Sequence, residues 1–98
     1  MSVYTLGIWT VRPGREDDFQ AGWQELARRT REDFPDATAV LLRDREIPNR
    51  FISFGPWKSP EEVEAWRRSP AFTENVGRIR GLLEDFTPHT MDPVVVVG

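Results

Sequence analysis

The run Val3 to Arg12 carries apolar side chains on both of its faces. Tyr4, Leu6 and Ile8 alternate with Val3, Trp9 and Val11. The β-branched and aromatic composition reads as a strand, and bulk on both sides means that both faces must be covered. Pro13-Gly14 ends the run. The first strand therefore belongs inside a sheet, with one layer packed above it and another below. In 98 residues there is room for one domain, residues 1–98. A chain this short has few layers of its own to supply.

The remaining elements follow from periodicity. Arg15 to Phe34 reads as a helix: Glu16, Asp17 and Asp18 suit the positive end of its dipole, and Arg28, Arg29 and Arg31 suit the other end. Its apolar stripe is Phe19, Trp23, Leu26, Ala27 and Thr30, and Pro35 stops it. Thr38–Arg45 and Arg50–Trp57 read as a hairpin around Glu46-Ile47-Pro48-Asn49. Ser59-Pro60-Glu61-Glu62 is a helix start, with Ser59 as N-cap, Pro60 at the first helical position and Glu62 closing a capping box. Ser69-Pro70 interrupts that helix. A second segment is expected from about Ala71 to Asp85, with Phe72, Val76, Ile79 and Leu83 as its stripe, and a last strand from Phe86 to Val97.

The order β-α-β-β-α-β predicts an α+β, ferredoxin-like split βαβ fold, with a four-stranded antiparallel sheet and the helices on one face. Tyr4, Leu6 and Ile8 then lie on the bare face. An apolar face of that kind calls for a cover, and a two-fold homodimer that stacks two sheets provides one. The tail Pro93–Val97 is apolar and is expected to reach across to the partner.

Other classes of function are excluded by what is missing. There is no cysteine, so disulfides, thiolate metal sites and a cysteine nucleophile are out. A net charge of −3, with arginines interleaved among acids, argues against nucleic acid. The aromatic run Arg50-Phe51-Ile52-Ser53-Phe54 is only a faint echo of an RNA-stacking strand. No leader and no membrane-length apolar run is visible, so a cytoplasmic protein is expected. There is no zinc, calcium, P-loop, nucleophile-elbow or dinucleotide pattern. The acid pairs Asp17-Asp18 and Glu61-Glu62 sit in first helical turns, where the dipole accounts for them.

Two stretches are more specific. Val11-Arg12-Pro13-Gly14-Arg15-Glu16-Asp17-Asp18-Phe19 is one. Phe54-Gly55-Pro56-Trp57-Lys58-Ser59-Pro60-Glu61-Glu62, continuing through Trp66, Ser69, Pro70 and Phe72, is the other. Together they resemble the antibiotic biosynthesis monooxygenase family, small dimeric α+β barrels, over most of the chain. The resemblance implies a homodimer with a pocket between sheet and helices in each subunit. Some members oxidise polycyclic phenols to quinones with O2 and without metal, flavin or heme. Others degrade heme or isomerise small lactones. The heme-degrading branch pairs a helix Trp with a later His and a first-strand Asn. Trp66 matches the Trp, but the other two positions fall at about Val76 and Gly7, so that route to iron is closed.

The candidate residues each carry two readings. Trp66 either walls a pocket, stacks on a flat substrate and offers its N–H, or is a core indole on an amphipathic helix. Four tryptophans (Trp9, Trp23, Trp57 and Trp66) are more than so small a core needs, and they sit on elements that can converge. Gly7 shares a strand face with Trp9, and either opens a cavity there or makes room for a neighbouring indole. His89, the only histidine, is either a general base toward a phenol or an edge-strand residue between Pro88 and Thr90. Phe72, Asn75 and Val76 complete the expected substrate wall. Ser53, Arg43 and Arg78 are further candidates for a substrate oxygen, and Asn49 is assigned to the hairpin turn. The expected chemistry is cofactor-independent oxidation of a flat aromatic by O2. A ligand-binding or dimerisation module of the same fold is the alternative.

Overall fold

The computed structural model describes residues 2–98. Its elements are β1 (Val3–Val11), α1 (Glu16–Asp33), β2 (Val40–Arg43), β3 (Arg50–Trp57), α2 (Pro60–Arg68), α3 (Pro70–Arg80) and β4 (Leu83–Met91). The four strands form one antiparallel sheet in the order β2-β3-β1-β4. This is the expected α+β ferredoxin-like fold, with β1 central. Among the described residues, no helix is long and apolar enough to cross a membrane.

Strand parity sorts the side chains. Val3, Gly7, Trp9 and Val11 face the helices and are buried, whereas Tyr4 is 37% exposed and Leu6 and Ile8 are half-buried on the other face. The main core lies between sheet and helices, where Trp9, Val11, Phe19, Leu26, Phe51, Val76, Ile79 and Leu83 meet. A smaller cluster of Val3, Trp57 and Val63 lies at the other end. Trp66 packs against both clusters.

The kink at Ser69-Pro70 is a junction between two separate helices. Ser69 ends α2 and caps α3: its hydroxyl accepts the N–H of Phe72 at 3.3 Å and donates to the Trp66 carbonyl at 2.6 Å. Pro70 occupies the first turn of α3, where its missing N–H costs nothing. The cap of α2 forms with a small change. Ser59 accepts from the N–H of Glu62 at 3.1 Å, but the Glu62 carboxylate receives the N–H of Lys58 in place of that of Ser59. In the hairpin turn, Asp44 is pulled down to about 2 by the guanidinium of Arg50 and the N–H groups of Ile47 and Glu46. Asn49 donates to the Val11 carbonyl at 2.8 Å and ties the turn to β1.

Two boundaries differ from the sequence expectation. The second helical segment ends at Arg80, not Asp85, and Leu83 opens β4 opposite Val11. Leu83 sits four residues after Ile79 and fits the helical stripe, but the chain turns at Gly81 and buries Leu83 from the strand. The last strand stops at Met91, not Val97. Residues 92–98 follow it without regular secondary structure.

Candidate functional site

A cavity of about 280 Å³ opens between α1, β1, β3 and the segment 37–39, roofed by Trp66 from α2. All four indoles line it. Trp66 lies against Trp57 with ring centroids 4.9 Å apart, and Phe72 meets its other side edge-on at 4.7 Å. Phe34 supports Trp57 from behind at 5.5 Å. Trp9 is stacked on Phe86 at 3.8 Å. Trp9, Trp57 and Trp66 are each held by another ring, so three of the four indole walls are preorganised.

Three of the four indole N–H groups are committed to hydroxyls. Trp9 donates to Ser53 at 2.9 Å, Trp57 to Thr5 at 3.2 Å and Trp66 to Thr30 at 2.8 Å. Trp23 has no such partner among the described residues. Arg31 lies one helical turn beyond Ala27 on the same face of α1, is exposed at the rim, and among the described residues bonds only the Pro35 carbonyl, at 3.2 Å. The segment 37–39 can lie so close to β3 because residue 55 is glycine. A Cβ there would collide with the Thr38 carbonyl oxygen and stand 3.0 Å from the Ala39 Cα.

Residues 3–78 match the sequence profile of the antibiotic biosynthesis monooxygenase family. The chain belongs to that family. Solved structures agree on the fold. SnoaB, a cofactor-independent oxygenase from Streptomyces nogalater, superposes with a TM-score of 0.85 at 18% identity, covering 98% of this chain and 96% of that one. Rv0793 from Mycobacterium tuberculosis gives 0.83 at 16% identity, with all of both chains covered. A further antibiotic biosynthesis monooxygenase gives 0.82 at 22%, covering 95% and 99%. A comparison with curated proteins returned no match.

In this member of the antibiotic biosynthesis monooxygenase family, the expected site residues divide. Trp9, Trp23 and Trp66 come together around the cavity. Gly7 does not line it: an added Cβ would stand 3.0 Å from both Ser53 Oγ and Trp9 Nε1, so this glycine makes room for the indole. Phe72 lies behind Trp66. Asn75 is 2% exposed and its amide donates to the Ala71 carbonyl at 2.7 Å, while Val76 is a core residue. Neither Gly7 nor Val76 can hold iron.

His89 needs correction on geometric grounds. It pairs across the strand with Leu6, so its side chain belongs to the sheet face opposite the cavity. It is no base for a ligand held under Trp66. The Trp66 N–H is likewise bound to Thr30 and is not free for a substrate. Phe51 is 1% exposed on the helix side and cannot stack a nucleobase. Arg43 bonds the Pro48 carbonyl at 2.7 Å and covers Phe51. Thr5, Thr30 and Arg31 are site residues that the sequence reading did not assign, and Trp57, expected there only as one of four converging indoles, lines the cavity with them. The signal for Arg31 is its spacing of eight from Trp23 on α1, which puts both on one helix face.

Proposed function

We propose that the cavity binds a flat aromatic or polyketide-like molecule, and that the protein promotes its oxidation by O2 to a quinone without a cofactor. The observation that carries this is the wall of four indoles roofed by Trp66. Its volume lies near the lower end of the ~300–1,000 Å³ usual for small-molecule sites, which favours a compact ring system. Membership of the monooxygenase family and the fold shared with SnoaB support the oxygenase reading.

The chemistry is self-sufficient for an anthrone-type substrate. Loss of a proton leaves an electron-rich carbanion that can pass an electron to O2. Recombination at that carbon and loss of water turn CH2 into C=O. One oxygen atom enters the product and the other leaves as water, so the four electrons that reduce O2 all come from the substrate. The protein's part is to hold the ring and favour its anion.

A non-catalytic binding module is the second reading, because no Asp, Glu or His among the described residues lines the cavity. Oxygen uptake with hydroxylated anthrones and naphthols separates the two. Uptake above the spontaneous rate is expected. Saturable quenching of indole fluorescence with no uptake at all would leave a binding module.

We also propose that the working unit is a homodimer stacked through the bare sheet face. Tyr4, Phe54, Leu42, Val40 and Met91 are 37–49% exposed there, a patch that water does not favour. The tail adds Val94 to Val97 at 78–92% exposure. Deleting residues 93–98 is expected to shift the protein from dimer to monomer or aggregate in light scattering. An unchanged dimer removes the tail from the interface.

A further inference from the structure

We infer that the cavity selects its ligand as an oxyanion, a phenolate or enolate, and that this anion binding by Arg31 and a set of hydroxyls replaces a protein base. The inference rests on the aromatic-site reading above and specifies the ionisation state of what is bound.

It follows from the direction of the hydrogen bonds. An indole N–H can only donate. In the pairs Trp9–Ser53, Trp57–Thr5 and Trp66–Thr30, each hydroxyl oxygen is therefore the acceptor. Each hydroxyl keeps its own hydrogen, and none of the three donates to a protein acceptor among the described residues. Three O–H donors thus remain for a ligand. Trp23 adds an indole N–H, and Arg31 adds a guanidinium engaged only by the Pro35 carbonyl. Among the described residues, no carboxylate, carboxamide or imidazole lines the cavity, and Arg31 is its one titratable side chain.

A wall so rich in donors complements an electron-rich oxygen. A neutral phenol can give its hydrogen to the remaining lone pair of one of these hydroxyls, but it brings no charge to match the guanidinium. A phenolate brings lone pairs and a charge that match hydroxyl donors and a guanidinium. When such a ligand ionises, its O–H bond breaks, the electron pair stays on oxygen and spreads into the rings, and the proton goes to solvent. Charge-stabilised ionisation of this kind supplies the electron-rich form that reacts with O2. It needs no general base, which accords with the position of His89 on the other sheet face.

The test uses hydroxyanthraquinone and naphthol dyes whose phenol and phenolate forms absorb at different wavelengths. They are titrated with pH in the presence of the wild-type protein, Arg31→Gln and Trp23→Phe. Arg31 is exposed and Trp23 half-buried, and Phe keeps most of the ring, so both variants should fold. The phenolate is expected to bind the wild type about tenfold more tightly than the phenol, seen as ionisation of the bound dye at lower pH. Arg31→Gln should reduce that preference to about threefold or less, and added salt should weaken it in the wild type but not in the variant. Trp23→Phe should reduce it partially. Binding with unchanged or weakened dye acidity overturns this inference and leaves the aromatic site standing. Failure of every dye to bind at any pH overturns both.

Discussion

Trp66→Ala is expected to lower stability by about 3 kcal/mol and to abolish saturable ligand binding. The indole touches Trp57 and Phe72, belongs to both apolar clusters and donates to Thr30. Alanine leaves a void that those three residues cannot fill without moving. Trp66→Phe separates packing from polarity. It keeps a ring against Trp57 and Phe72 but leaves the Thr30 hydroxyl, 5% exposed, without its donor. The cost should be about 1 kcal/mol, with ligand affinity retained within a few-fold. Urea denaturation and indole quenching read the two effects. Full affinity in the alanine variant would show that Trp66 is packing alone.

Gly55→Val is expected to be at least as damaging, by a different route. The new side chain would meet the Thr38 carbonyl and the Ala39 backbone, neither of which is a flexible side-chain end. Segment 37–39 forms the cavity rim, so its displacement should cost more than about 3 kcal/mol and open the site. Gly77 is the internal comparison. It lies inside α3 with nothing within 4 Å of an added Cβ, and Gly77→Ala should stabilise by about 0.5–1 kcal/mol. Midpoints of thermal unfolding for the pair should move in opposite directions. A Gly55→Val protein as stable as the wild type would rule out the close approach at residue 55.

The contrast between these glycines shows what the sequence could and could not reveal. Element order was legible because the strand Val3–Val11, the stripe Phe19-Trp23-Leu26 and the start at Ser59-Pro60 are each set by local periodicity and capping. The turn at Gly81 was not, because Leu83 satisfies a helical and a strand pattern equally well. The sequence places Gly55 on a strand and Gly77 on a helix, but only the approach of residues 38–39 shows that Gly55 has no room for a side chain. The indoles were visible as an aromatic excess, but the direction of their N–H groups was not. Thr30 reads as a spacer on an apolar stripe until Trp66, 36 residues later, donates to it. His89 stood out because it is alone, yet its face is set by the register of β4 on β1. A one-residue slip would have turned it toward the helices.

Oxygen labelling tests the central claim most directly. The protein, stripped of metal and supplied with no flavin or heme, is given an anthrone-type substrate under ¹⁸O2, and the quinone is weighed by mass spectrometry. One labelled oxygen per new carbonyl, formed faster than in protein-free buffer and not faster with Trp66→Ala, is the expected result. A quinone formed at the buffer rate, with the ligand still bound saturably, would contradict it and leave a ligand-binding protein on an oxygenase fold.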